Sequence, residues 1–269
     1  MKRWFESILK PGTATASAPL VFLTLTLVTL FQFPTQLLLR AGFVSLGVAA
    51  NEIIAVAGVP LAIIALLRFN RRRLLPLERP SIAVLALTAV VTISAAILID
   101  YMTAGSEHFF PLPPEVSAAY DRIMAISGPA DAAIKLVVLC LLPAFCEELF
   151  FRGFCQTSLS ARWGDWPAIA ITALFFAILH GNPWYFHLYS ILGLLLGWIY
   201  ALTGTLWAPI LCHLINNSWS FINHMRGFEL PLSHPFGRPD AILLAAAVLV
   251  FFAFAAILRR RCAPVRFRA

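Results

Sequence analysis

KLVVLCLLPAFCEELFFRG, residues 135–153, closes an apolar run with two adjacent carboxylates, Glu147 and Glu148, and a guanidinium, Arg152. Charge is costly in hydrocarbon, so ionisable groups in such a run mark a functional site by default. The rest of the chain says that the run lies in a membrane. Of its 269 residues, 60% are hydrophobic and 12% are charged, and the mean hydropathy is +0.84. A soluble domain carries about 25% charged residues. This composition excludes a soluble protein with a large core and implies an all-α, polytopic membrane protein. The net charge of +7 comes mostly from arginines clustered between apolar runs. That pattern suits anionic headgroups and topology control, and it argues against nucleic acid as a partner.

A spanning helix needs about 20 apolar residues. Candidate spans cover residues 19–39, 44–67, 81–101, 129–156, 166–181, 184–202, 205–224 and 239–258. Eight spans put both termini on one side. Basic residues orient them: Lys2, Arg3 and Lys10; Arg68, Arg71, Arg72, Arg73 and Arg79; Arg152 and Arg162 about a turn after the fourth span; and Arg259, Arg260, Arg261, Arg266 and Arg268. These segments fall on one face, expected to be the cytoplasmic face of a bacterial inner membrane. Segment 102–127, with Glu107, Glu115 and Asp121, falls on the other. MKRWFESILKPG runs into a long apolar span without an A-x-A site and reads as part of a retained helix, not a cleaved leader. No CxxC spacing links Cys140, Cys146, Cys155, Cys212 and Cys262. Four of them sit in or beside apolar runs and read as small buried hydrophobes. Segment 225–238 is a Pro/Gly-rich loop without a specific reading.

Three spans carry polar clusters: Glu147, Glu148 and Arg152; Phe176 and His180; and His213, Asn216 and Asn217. Glu148 and Arg152 are spaced i,i+4 and meet on one helix face. Glu147 is turned by about 100° and lacks that partner. One acid is expected to be structural and the other reactive. His213 and Asn217 also share a face. Pro143 and Pro209, four residues before Glu147 and His213, are expected to kink their helices around a wet cavity. Glu148–Arg152 alone could be helix glue, and His187 and His224 read as packing residues. Asp131 and Lys135 read as an ordinary ion pair. Glu52, beside Asn51, stays open between a second functional group and a partner for a basic residue. Depth counts agree for Glu147, roughly 14 Å from the cytoplasmic end of the fourth span, and His213, roughly 12 Å from the start of the seventh, but put His180 deeper, roughly 20 Å from Asp165.

These motifs resemble those of the CPBP family, the CAAX proteases and bacteriocin-processing enzymes also called Abi. Its EExxxR, FxxxH and HxxxN patterns read here E-E-L-F-F-R (Glu147, Glu148, Arg152), F-A-I-L-H (Phe176 to His180) and H-L-I-N-N (His213 to Asn217). The resemblance covers residues 129–224, the expected catalytic core; three N-terminal spans and a loop over 1–128 precede it, and a loop, a last span and a basic cytoplasmic tail over 225–269 follow. It implies an intramembrane endopeptidase acting on a membrane-associated peptide or protein. Glu147 and His180 would activate a water, His213 and Asn217 would stabilise the oxyanion, and Glu148 and Arg152 would support the site. No cofactor is preferred. Zinc is the alternative, with Glu147, His180 and His213 as its ligands. HExxH is absent, and a ligating Glu is not free to act as base, so a glutamate mechanism is favoured. A non-catalytic immunity or peptide-binding protein of the same fold is the competing function. A proton-relaying transporter would show internal symmetry, and none is visible.

Overall fold

The computed structural model describes residue 9, residues 11–226 and residues 238–262. Lys2, Arg3, Lys10, Arg266, Arg268 and residues 227–237 of the Pro/Gly-rich segment lie outside them. Among the described residues there is no strand. Among the described residues the helices longer than ten residues are α1 (Ala18–Arg40), α2 (Val44–Leu66), α3 (Ile82–Phe109), α4 (Pro114–Met124), α5 (129–163), α6 (Asp165–Leu179), α7 (Phe186–Thr203), α8 (Trp207–Arg226) and α9 (Arg238–Arg261). Five segments are long and apolar enough to cross a membrane: α1, α2, α3, α7 and residues 241–261 of α9. The chain is thus an all-α, polytopic membrane protein. Of the other expected spans, α6 is short at 15 residues, and α8 is diluted by the polar residues of its inner face. Large apolar side chains such as Phe33, Leu37, Ile82 and Leu249 face outwards, as a lipid-facing surface requires.

Three expectations from the sequence need correction. The helix that carries the fourth span does not end near residue 156 but continues to Trp163. Arg152 is therefore not beside a turn but inside α5, fully buried, and does not belong with the surface arginines that orient the chain. Segment 102–127 is largely helical, because α3 runs on to Phe109 and Pro113-Pro114 starts α4. Pro209 lies in the first turn of α8, where a backbone donor has no intrahelical partner, so it begins the helix instead of kinking it.

The longer α5 removes the depth discrepancy. Glu147 lies 163 − 147 = 16 residues from its end, about 24 Å, against about 22 Å for His180, 15 residues beyond Asp165. α8 starts lower. Leu206, just before it, packs at Gly153, ten residues short of Trp163. Six residues of α8 then bring His213 level with Glu148.

Three stretches are π-helical: Asn51–Gly58 in α2, and Leu136–Leu141 and Leu149–Gln156 in α5. Such segments occur frequently at functional sites, and the last two bracket Glu147 and Glu148. The first two end just before Pro60 and Pro143, which cannot donate the α-helical bond to the residue four earlier.

The core joins α5, α6 and α7 to α1 through Phe150, Phe154, Phe176, Leu196, Leu20 and Val28. α6 and α7 touch almost backbone to backbone. A Cβ on Gly193 would stand 2.9 Å from Ala173 Cα. Gly193→Ala is therefore expected to destabilise the fold by about 1–3 kcal/mol, seen as an earlier thermal unfolding transition in detergent. At the arginine-rich end, residues 76–78 dock on 205–207. Leu206 N–H donates to Pro76 O at 2.8 Å and Trp207 Nε1 to Leu77 O at 2.9 Å. At the opposite end, Tyr120 of α4 meets Asn182 (3.0 Å) and Tyr189 (2.7 Å).

Candidate active site

Glu148 is fully buried and accepts two bonds on one oxygen. Arg152 Nη1 donates to its Oε1 at 2.9 Å, as the i,i+4 spacing predicts. His213 Nδ1 lies 2.8 Å from the same atom. The carboxylate thus ties α5 to α8 as well as to its own helix. Arg152 spends its other arm on Gly193 O at 3.0 Å, which ties in α7. Its guanidinium carbon stands 4.9 Å from the centroid of the Phe176 ring.

Phe176 is the spacer of the site. Its ring is fully buried, 4.5 Å from His180 and 5.7 Å from His213 between centroids. Its carbonyl stands 2.7 Å from His180 Nδ1. A carbonyl can only accept, so Nδ1 carries the proton there and Nε2 is left as the free nitrogen. Tyr189 stacks on the His180 ring, with centroids 4.0 Å apart. Both histidines are thereby held through Nδ1, one by a carboxylate and one by a carbonyl.

Glu147, His180, His213 and Asn217 all line one cavity of about 1040 Å³. Glu147 points away from the buried pair, as its rotation on the helix predicts. Its Oε2 has no hydrogen-bond partner. Asn217 Nδ2 reaches Leu139 O at 3.4 Å. That carbonyl is the one whose α-helical donor would be residue 143, a proline. The expected role of Pro143 in freeing backbone near the site therefore has a specific acceptor. Asn216 stays beside Asn217, with its Nδ2 3.5 Å from Asn217 Oδ1.

Glu52, left open by the sequence, belongs to this space. It is 4% exposed and lines the large cavity. With Glu147 and His180 it also lines a second, smaller cavity of about 180 Å³ that Gln32 and Gln36 of α1 close. Asn51 Nδ2 donates to Glu52 Oε1 at 3.1 Å, and Thr35 Oγ1 donates to Asn51 Oδ1 at 3.2 Å. Glu52 Oε2 has no partner. The sequence reading missed Asp100, which lines the large cavity from α3. It accepts from Trp219 Nε1 at 2.6 Å and Asn223 Nδ2 at 3.1 Å. Its one visible signal was an Asp near the end of an apolar run.

The cavity reaches the surface at the end opposite the arginine-rich loops, past the exposed Glu107 and His224. Tyr185, before α7, donates to Glu107 there. Burial first, and then this carboxylate, raise the Tyr185 hydroxyl above its usual range, so it remains a donor. His187 and His224 are both exposed and are not packing residues; His187 does not line the cavity. Asp131 and Lys135 stand 3.9 Å apart, but the shorter bonds are Asp131 to Ser127 N at 2.9 Å and Lys135 to the Ala125 carbonyl. Among the described residues, no three His, Cys, Asp or Glu side chains stand grouped as metal ligands. Cys140, Cys146, Cys155 and Cys212 are buried and free.

Comparison with known proteins points to the same segment. Residues 129–219 match the family model described as Type II CAAX prenyl endopeptidase Rce1-like. Over 89 residues the chain is 27% identical to the Bacillus subtilis (strain 168) protein named "Putative membrane peptidase YdiL", covering 33% of this chain and 36% of the relative. Over 84 residues it is 38% identical to "Uncharacterized protein YpbD" of the same organism, covering 30% of this chain and 40% of the relative. The chain thus spans well under half of the length of these curated relatives. No solved structure matches it.

Proposed function

We propose that this chain, whose core over residues 129–219 is of the CPBP family, is an intramembrane endopeptidase. It hydrolyses a peptide bond of a membrane-associated protein or peptide with a glutamate-activated water. The observation that carries the reading is the meeting of Glu147, His180, His213 and Asn217 around one cavity, with both imidazoles anchored through Nδ1.

Each group then has one task. A water between Glu147 and His180 gives its proton to the Glu147 carboxylate as its oxygen attacks the scissile carbonyl. His180 accepts the water's other hydrogen on Nε2, the lone-pair nitrogen left by the bond to Phe176 O. The carbonyl oxygen becomes an oxyanion, and Asn217 offers it the Nδ2 hydrogen not spent on Leu139 O. His213 donates from Nε2. In that role its ring carries both protons, one bonded to Glu148 and one to the oxyanion; the oxyanion offsets the charge of the ring, and Glu148 that of Arg152. Donors held in place before the reaction usually contribute more to acyl-transfer catalysis than any other single effect. The proton on Glu147 passes to the leaving amine as the C–N bond breaks. Glu148 and Arg152 touch no reacting atom and act as positioning residues. No metal enters any step.

The test is cleavage by purified protein in proteoliposomes, read by mass spectrometry of co-reconstituted membrane peptides. Activity is expected to survive prolonged chelation. Asn217→Ala is expected to lower it on the order of 10²–10³-fold, the size of one lost oxyanion donor. Activity abolished by chelation and restored by zinc overturns the glutamate mechanism.

A further inference from the structure

The chain carries a net charge of +7, yet the large cavity is acidic. Glu52, Asp100, Glu107 and Glu147 line it, and no Lys or Arg does among the described residues. Asp100 is the least expected of the four. It sits within α3, directly after a run of apolar and hydroxyl side chains from Ile82 to Ile99, at the level of the cavity. Its partners, Trp219 and Asn223, are neutral. They fix the direction of the carboxylate without cancelling its charge. An uncompensated carboxylate at membrane depth is expensive to keep, and it attracts a cation more strongly there than in water. A second observation points the same way. Glu52, 4% exposed, lines the same cavity with Oε2 unpartnered. At the mouth, the Tyr120 and Tyr185 rings lie 5.9 Å apart beside Glu107. Aromatic faces next to a carboxylate favour cationic heads.

We propose that the large cavity is a cleft for a substrate segment bearing a Lys or Arg side chain, whose cationic head is held at Asp100. This rests on the peptidase reading, and the register follows from it. Trp219 and Asn223 lie six and ten residues beyond His213 on α8, roughly 9–15 Å along the axis. An extended peptide advances about 3.3 Å per residue, so the basic residue falls about three to five positions from the scissile bond.

The experiment uses full-length Glu147→Gln protein in zwitterionic liposomes to capture peptides from an acylated library randomised at eight positions. Retained peptides are expected to be enriched in Lys or Arg over Gln on the order of tenfold or more. Adding Asp100→Asn should abolish the enrichment, and Asp100→Glu should restore it. Asn keeps an acceptor oxygen for Trp219 and Asn223, so the fold should hold, as thermal unfolding will read. Retention without charge preference, a preference that survives Asp100→Asn, or no retention at all overturns the subsite. The same library with unmutated protein reads cleavage separately. Products are expected with the basic residue three to five positions from the new terminus. Cation-selective capture without any product overturns the peptidase reading and leaves the subsite standing.

Discussion

Glu147→Gln is expected to abolish peptide-bond hydrolysis, with a loss on the order of 10³–10⁴-fold, while thermal unfolding in detergent stays unchanged. The size follows from removing a general base, which contributes roughly 10²–10⁴-fold, and in the proposed mechanism Glu147 is the one group that both takes and returns the proton. The unchanged stability follows from where the side chain sits. Glu147 is half-buried and lines two cavities, and its Oε2 bonds to nothing. Gln is nearly isosteric and leaves no buried charge behind. Product release by Glu147→Gln protein at the unmutated rate would remove the base from the mechanism. If a cellular role persisted with Gln there, the non-catalytic, peptide-binding function would be the correct one.

Arg152→Met is expected to produce the opposite pattern: a loss of about 3–5 kcal/mol of stability, because a fully buried Glu148 is left without its cation. Replacing both partners, Glu148→Leu with Arg152→Met, should return most of that stability, since apolar groups of similar volume often do as well as a buried pair. Activity should not return. His213 would have lost the carboxylate that fixes its ring, and a misplacement of about 1 Å can cost on the order of a hundredfold. Unfolding free energies and cleavage rates of the three proteins separate the two effects. A double variant that regains both would make the pair helix glue and nothing more.

What sequence spacing could see was whatever lies within one helix. The i,i+4 rule placed Arg152 on Glu148 and turned Glu147 away from both, and the structure agrees. The all-α membrane architecture was equally plain, because hydrophobicity over 20 residues is a local property. The rest depends on partners distant in the chain. His213 reaches Glu148 across 65 positions and Trp219 reaches Asp100 across 119. No periodicity encodes either bond, so Glu148 was given one partner of two and Asp100 none. Pro209 was misread because a proline breaks a helix only in its interior, and where α8 begins is set by docking against residues 76–78. Arg152 was counted among topogenic arginines because a buried arginine looks like any other until its neighbours are known.

The π-helical turns on either side of Glu147 and Glu148 set the phase of everything that follows them. Each holds one residue more than an α-helical turn would. Were Leu136–Leu141 to tighten into an α-helix with its length unchanged, both acids would swing by about 100° relative to the part of α5 before them, whereas excising a single amino acid would close the wide turn and leave both acids in phase. A one-residue gap in this stretch would therefore mark a chain that lost the wide turn and kept both acids where they stand here.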